Sequence, residues 1–218
     1  MSFFEKITDG LKSYEVVMMC FGSLMFVVIL GLLVFFAVSK RPLKQLLVYF
    51  GIAVLMLGWP SVQKIKIGET GVELEKTTKQ YAEKPTPENK KKVTDLIDEL
   101  KDRNVKDPDV VKKIARAEFM IGKSQESLQT IGTLPAKERQ DSSINQLRAH
   151  IQLNDSVNAL LHVVQSGDPD SSEITKLNEL LSRAVNLAIR NPQLDSSIRV
   201  ADQEIAKYKR RHPNVKMK

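Results

Sequence analysis

Two long apolar runs near the start of the chain dominate its hydropathy pattern. Residues 16–38 hold 23 positions without a charged side chain, and residues 46–59 hold 14. A helix needs about 20 apolar residues to cross the hydrocarbon core of a bilayer. The first run therefore predicts a transmembrane helix. The second predicts a shorter one over residues 43–59, with the Lys44 amine reaching the headgroups.

A short basic segment, 39-SKRPLKQ-45, separates the two runs. Pro42 disfavours helix at the residue before it, and three cations close together are costly at the centre of a bilayer. We interpret the segment as the turn of a transmembrane helical hairpin over residues 16–60, with both termini on one side and a helix stop at Pro60. The side chains expected at the membrane interface are Lys40, Arg41, Lys44 and Trp59.

The orientation of this hairpin depends on cations near the helix ends. The turn holds three, and the flanks hold Lys6, Lys12, Lys64 and Lys66. This favours both termini in the cytoplasm, and the alternative places the helical domain on the periplasmic side. The small hairpin and the lack of a signal peptide suit a bacterial inner membrane. A secretory signal peptide is rejected because the first run is too long and a second follows at once. Residues 1–15 predict a short interfacial helix, or else a frayed terminus.

The residues after the hairpin change their pattern of alternation. The stretch 64-KIKIGETGVELEK-76 places an apolar side chain at every second position on either side of a glycine-bounded turn. This alternation is typical of a β-hairpin, which we predict over residues 61–76. A polar, proline-containing linker is predicted over residues 77–87.

Residues 88–211 predict an all-helical domain, because their punctuation is that of helix starts. A capping residue followed by proline suits a helix N-terminus, and it occurs at Thr86-Pro87, Asp107-Pro108, Asp168-Pro169 and Asn191-Pro192. With the apolar spacing that follows, we predict helices over residues 88–103, 109–121, 124–132, 137–153, 155–166, 172–190 and 193–211. A basic tail follows over residues 212–218.

Two segments of this domain match each other at an offset of 32 residues. Segment 116-RAEFMIGKSQESLQTI-131 aligns without gaps with 148-RAHIQLNDSVNALLHV-163. Each predicts a helix, a tight turn and a second helix, with the turns at Gly122-Lys123 and Asn154-Asp155. A period of thirty-odd residues in such units is typical of an α-solenoid.

At these residues the chain resembles the tetratricopeptide repeat family. Gly122 and Asn154 stand at the turn-glycine position of that family, and Ser127 and Ala159 stand at its small position in the second helix. The resemblance covers two units and lacks the tyrosine and the proline that close each repeat of the family. A generic array of helical hairpins is the alternative.

The resemblance implies a binding surface, because the first helices of this family line a concave surface that binds a peptide or another protein. Arg116 and Arg148 occupy equivalent first-helix positions, Lys112 precedes Arg116 by one turn, and Arg183 begins a third Arg-Ala pair. These cations could hold carboxylates of a partner through charge-assisted bonds. They predict a site for a protein partner with an acidic segment; the alternative is ordinary solvated cations.

Composition narrows the chemistry that we expect. The formal net charge is +7 and 27% of the residues are charged, a balance typical of a solvated helical surface. Cys20 is the only cysteine, and the three histidines lack a carboxylate at ligand spacing, so no metal site is predicted. Phosphate-binding glycine loops and nucleophile elbows are not found, and no cofactor or enzyme activity is predicted. Lysine clusters without interleaved aromatic residues argue against a nucleic-acid partner.

Together these features predict an all-α membrane protein with a functional role in binding. The first hypothesis is a scaffold or assembly subunit, in which the hairpin anchors the chain in a bilayer and the helical domain recruits a protein partner. The second hypothesis is a subunit of an oligomeric pore or membrane ring, in which the hairpin is the active element and the chain forms a homo-oligomer.

Overall fold

The computed structural model describes residues 13–38, 44–167, 169–187 and 191–213, and every regular element in these ranges is an α-helix. Along the chain the helices are α1 (Ser13–Val38), α2 (Lys44–Glu83), α3 (Pro87–Asp102), α4 (Pro108–Met120), α5 (Ser124–Gly132), α6 (Ala136–Arg139), α7 (Ser142–Ser166), α8 (Ser171–Val185) and α9 (Pro192–Arg211). The predicted all-α fold class is confirmed in these ranges, although a β-hairpin was predicted within it. The chain divides into two compact units, one formed by Met1–Glu73 with Asp98–Val110 and the other by Leu74–Ile97 with Val111–Lys218.

In the first unit, α1 and α2 contact each other and run in opposite directions. The Phe26 and Phe50 ring centroids lie 5.3 Å apart. A Cβ placed at Gly22 would come within 2.7 Å of the Met56 Cβ. Because the earlier residue of α1 meets the later residue of α2, the two helices are antiparallel. Gly22 allows their close approach, since any larger side chain there would meet Met56.

The predicted β-hairpin over residues 61–76 is wrong, because this segment lies inside α2. The alternating apolar residues belong to two faces of one helix rather than to one face of a strand. Ile65 and Val72 point outward and are exposed. The inward positions follow the spacing of three and four that a helix requires, and they are Gln63, Ile67, Gly71, Leu74, Thr78 and Tyr81.

The predicted helix stop at Pro60 is also wrong, because α2 runs through this residue to Glu83. A proline inside a helix removes one backbone hydrogen bond, but a 40-residue helix keeps the bonds on both sides of it. The interval predicted as a linker, residues 77–87, holds the end of α2, the non-helical residues 84–86 and the start of α3.

Two apolar clusters contribute to the core of the second unit in the residues that the structure describes. The first cluster joins α4 and α5 to the N-terminal half of α7, and its buried members are Val111, Ala115, Phe119, Met120, Ile131, Leu134, Ile144, Leu147 and Ile151. The second cluster joins the C-terminal half of α7 to α8 and α9, and its buried members are Leu153, Val157, Leu161, Val164, Ile174, Leu177, Leu181, Ala184, Leu194, Ile198, Ala201, Ile205 and Tyr208. The long helix α7 therefore contributes to both clusters.

The predicted turn at Asn154-Asp155 is wrong, because α7 is continuous from Ser142 to Ser166. No glycine or proline interrupts this interval, and its buried residues keep helical spacing throughout. Asn154 is buried and faces α5, with its amide nitrogen 3.4 Å from the Ser124 hydroxyl. The sequence match therefore aligned a true turn with the middle of a helix.

Several of the predicted helix starts are confirmed. Helices begin at Pro87, Pro108 and Pro192. The preceding residues cap them: the Thr86 hydroxyl accepts from the Asn89 N–H, the Asp107 carboxylate accepts from the Asp109 N–H, and the Asn191 side chain accepts from the Leu194 N–H. The helix predicted over residues 137–153 is divided instead, because Asp141 caps a new helix there. The predicted interfacial helix up to residue 12, Lys40 and Arg41 of the turn, and residues 214–218 of the basic tail lie outside the described residues.

Candidate membrane segment and partner-binding surface

The most extensive exposed apolar surface in the described residues belongs to α1 and the first part of α2. Exposed large apolar side chains on these two segments include Val17, Phe21, Leu24, Val27, Val28, Val34, Phe35, Leu47, Val48, Ile52, Val54 and Leu55. An apolar patch of this extent marks a contact with a membrane or with another protein. In the described residues, one segment, Tyr14–Phe36, is long and apolar enough to cross a membrane, and Leu46–Trp59 is a shorter apolar helix.

Two of the residues predicted at the membrane interface fall within the described residues. Lys44 is the first residue of α2. Trp59 is the last residue of the short apolar segment, and its half-buried side chain has an indole N–H without a hydrogen-bond acceptor among the described residues. An indole in this position has an apolar body and a polar edge, as interfacial tryptophans do.

Lys112 of the predicted cationic site is held by acids of its own chain. Its Nζ donates to the Glu138 Oε2 at 2.6 Å and to the Asp141 Oδ2 at 2.8 Å. Hydrogen bonds with these carboxylates raise the pKa of Lys112 well above its usual range. The Lys112 bond and the Ser143 N–H lower the pKa of Asp141 to about 2. The Lys112 amine thus ties α4 to α6 and to the start of α7.

Glu138 and Asp141 were not identified from the sequence as partners of Lys112. They lie 26 and 29 positions further along the chain, so no local pattern joins them to it. A local signal for Asp141 does exist, since the run Asp-Ser-Ser before an apolar stripe is typical of a helix N-cap.

The three arginines of the predicted site lie on three different helices. Arg116 on α4 and Arg183 on α8 are exposed, and Arg148 on α7 is half-buried. The positive charge of Arg116 acts on the imidazole of His150. Arg183 lies on α8, which packs in the second cluster. These three cations of the predicted site thus come from helices of both apolar clusters.

Buried polar groups lie on α4, α5 and α7 near Arg116, and one of them joins α4 to α5. The Glu118 carboxylate accepts a hydrogen bond of 2.7 Å from the Thr130 hydroxyl. His150 is buried, and burial together with the positive charge of Arg116 lowers the pKa of its imidazole. In the described ranges there is no group of three or more His, Cys, Asp or Glu side chains that could hold a metal ion.

The exposed surface of α7 differs from its neighbours in having no charged side chain. The exposed side chains of α7 include no Asp, Glu, Lys or Arg, although this helix has 25 residues and both neighbouring helices of the second cluster expose charges. We name the central part of this surface the α7 face: Ala149, Gln152, Ser156, Ala159 and Val163, all exposed. Its spacing of three and four positions aligns these residues along one side of the helix. The side chains there are small or uncharged, so a partner could approach at a low desolvation cost.

A shallow groove of about 400 Å³ lies at the end of the second cluster, where α7 and α9 finish. It is lined by Gln165, Glu204, Lys207, Tyr208 and Arg211, among others. The Lys207 amine is bound to the Glu204 carboxylate at 2.7 Å, so the two opposite charges offset each other.

Comparisons with family models, with curated proteins and with solved structures find no match to this chain.

Proposed function

We propose that the protein is a membrane-anchored scaffold that recruits a protein partner through its helical domain. The observation that carries the proposal is the combination of an exposed apolar surface on α1 and α2 with an uncharged exposed face on α7 in the same chain. The first provides attachment to a bilayer and the second provides a surface for association. Anchoring raises the effective concentration of the scaffold for a partner at the membrane.

The anchor in this proposal crosses the membrane twice. The segment Tyr14–Phe36 spans the bilayer, and Leu46–Trp59 returns with the help of its flanking polar residues. The antiparallel contacts of Phe26 with Phe50 and of Gly22 with Met56 support this arrangement. Both termini then lie on one side, which we place in the cytoplasm of a bacterium, with the hairpin in the inner membrane.

The recruiting surface in this proposal lies on the second unit. The core of a protein interface is depleted in charged residues, which fits the α7 face. Arg148 is on the same helix and half-buried, so it could pair with a carboxylate at the rim of such an interface. The resemblance to the tetratricopeptide family is supported for the first of the two matching segments only, where Gly122 has a φ of 85° and Ser127 is buried.

Accessibility labelling tests the anchor. Cys20 is exposed and is replaced by serine, and single cysteines are placed at Ser39 and at the exposed Ser196. Intact cells are treated with a membrane-impermeant maleimide before and after permeabilisation. We expect Ser39→Cys to react at once and Ser196→Cys only after permeabilisation. The reverse pattern would place the helical domain outside the cytoplasm, and equal labelling at both sites would contradict the two-pass anchor.

Site-specific photocrosslinking tests the recruiting surface. A photoreactive amino acid replaces Gln152 or Ala159 on the α7 face, with the exposed Lys176 on α8 as the matched control. We expect one defined protein adduct from the two α7 positions and none from the control. Adding Ser156→Glu to the protein that carries the photoreactive group at position 152 should abolish that adduct, because it places a charge at the centre of the face. Adducts of equal yield at all three positions would contradict the proposal.

A further inference from the structure

The outward side of α2 carries a regular series of positions that the contact with α1 does not use. We name it the α2 seam: Gly51, Leu55, Gly58, Val62, Ile65, Glu69 and Val72. All seven positions are exposed, and they are separated alternately by four and three residues. An average spacing of 3.5 residues is the period at which two helices keep contact along their length.

The second half of the seam exposes large aliphatic side chains outside the apolar segment. Val62, Ile65 and Val72 are 44%, 62% and 62% exposed. The exposed charged residues Lys66 and Glu73 lie among them, so hydrocarbon cannot be the environment of this part of the helix. The opposite side of α2 is the one that packs within the first unit, where Gln63 accepts a hydrogen bond from Arg103 at 2.8 Å. The exposed aliphatic row is thus left without cover from its own unit in the described residues.

The first half of the seam lies in the apolar segment and has a different composition. A Cβ placed at Gly51 or at Gly58 would have no neighbour within 4 Å, whereas the same test at Gly22 meets Met56 at 2.7 Å. Gly51 and Gly58 are therefore not required by the packing of α1 on α2. In a bilayer, small residues on an outward helix face let a second helix approach closely.

We propose that the α2 seam is the interface at which two copies of this chain form a parallel dimer. This inference rests on the proposed membrane anchor, because anchoring gives all copies the same orientation and the same depth. A partner of this seam must carry residues suited to hydrocarbon along the first half and residues suited to water along the second half. The change must occur at the same height along the helix. A second copy meets that requirement at every position, since a two-fold axis brings each seam residue to its own equivalent.

The dimensions of the seam indicate the strength of this association. The 22 residues from Gly51 to Val72 span about 33 Å, and a helix is about 10 Å wide, so the footprint is roughly 300–400 Å² on each copy. Stable interfaces between soluble proteins cover about 800 Å² on each partner. We therefore expect a reversible dimer that depends on confinement to the membrane.

Glu69 allows a test in which one substitution should strengthen the dimer and another should weaken it. It is the charged position of the seam, and in a parallel dimer it faces the Glu69 of the second copy. Like charges that meet in this way oppose association. Replacing Glu69 by leucine should strengthen the dimer, while replacing Ile65 by glutamate should weaken it. Both side chains are exposed in the single chain, so neither change disturbs its core.

Cysteine crosslinking in native membranes is the experiment that tests the seam. In a Cys20→Ser background, Ile65→Cys and Val72→Cys are compared with the neighbouring controls Lys66→Cys and Glu73→Cys, all at exposed positions. A mild oxidant is added and the disulfide-linked dimer is measured on a non-reducing gel. We expect the two seam variants to form dimer several-fold faster than the controls, since one residue turns the side chain by about 100°. Equal rates at all four positions, or no dimer at any of them, would overturn the proposal.

Charge variants and membrane extraction separate this inference from the anchor itself. With Val62→Cys as the reporter, Ile65→Glu should slow dimer formation several-fold and Glu69→Leu should accelerate it. Each variant is also extracted with alkaline carbonate, which removes proteins that are not embedded in a bilayer. A pelleted protein whose rates ignore both substitutions refutes the dimer and leaves the anchor standing. A protein released by carbonate refutes the anchor and, with it, the parallel dimer.

Discussion

Replacing Asn191 by alanine tests whether one side chain joins the start of α9 to the end of α4 in the second unit. Asn191 is fully buried, and it bonds in two directions. Its Oδ1 accepts from the Leu194 N–H at 2.6 Å, which caps α9. Its Nδ2 donates to the Phe119 carbonyl at 2.9 Å, near the end of α4 and 72 positions earlier in the chain. The substitution removes both bonds and keeps the backbone.

The expected cost follows from these two bonds. Loss of a capping side chain costs about 0.5–2 kcal/mol, and the buried Leu194 N–H places this case in the upper part of that range. A lost buried hydrogen bond leaves its partner unsatisfied at about 1–3 kcal/mol. The Phe119 carbonyl keeps a bond from the Gly122 N–H at 3.1 Å, so the lower end applies there. We expect a decrease of about 2–3 kcal/mol in the free energy of unfolding.

Thermal unfolding of the full chain in detergent, followed by circular dichroism, measures this effect. For a chain of this size 1 kcal/mol lowers Tm by about 2–4 °C, so Asn191→Ala should lower it by roughly 4–12 °C. Asn186→Ala is the matched control, because Asn186 is exposed and its amide donates to the Ser182 carbonyl at the surface. That variant should stay within about 0.5 kcal/mol of the wild type. Equal Tm values for the two variants would refute the role given to Asn191.

Three other predictions concern the second unit. Gly122→Ala should destabilise the chain by about 1–2 kcal/mol, because a φ of 85° is strained for alanine and the new Cβ would lie against the Gln193 side chain. The control is Gly132→Ala, which should be neutral or stabilising because Gly132 has open space around it and a helical backbone. Chemical denaturation compares the stability of the two variants. Lowering the pH below 6.5, the ordinary pKa of histidine, should reduce stability, because the pKa of His150 is lowered in the fold and the unfolded chain then binds more protons; His150→Gln should remove this dependence from a plot of Tm against pH. Between about pH 4 and 2 a second loss should follow as Asp141 becomes protonated, and Asp141→Asn should show a smaller loss, because the carboxylate of Asp170, whose pKa is also lowered in the fold, still contributes; an unchanged profile in this variant would contradict the assignment.

Local signals in the sequence predicted the parts of the fold that depend on neighbouring residues. The starts of α3, α4 and α9 were predicted because a capping side chain and a proline act within one helical turn. A first helix that is long and apolar enough to cross a membrane was predicted for a similar reason, since the length of such a segment is a property of consecutive residues. These features need no knowledge of what the segments contact.

The features that were missed depend on contacts distant in the chain. The alternation at Ile65 and Val72 was interpreted as a strand, because the sequence does not show that the two faces of α2 have different environments. The match at Asn154 compared residue types, but the burial of Asn154 against α5 decides that α7 continues. The acids that hold Lys112, and the uncharged α7 face, became visible only when the exposed side of each helix was known.

The position of α7 in both apolar clusters has a consequence for how the second unit can be altered. In a true repeat array each unit contacts only its neighbours, so stability is approximately a sum of the units and of the interfaces between them. Here Ile151 belongs to the first cluster and Leu153 to the second, two positions apart on one rigid helix. A deletion that ends between them exposes apolar surface on both sides of the cut. The two clusters should therefore melt in a single cooperative transition, and a truncated fragment of either one should aggregate rather than fold.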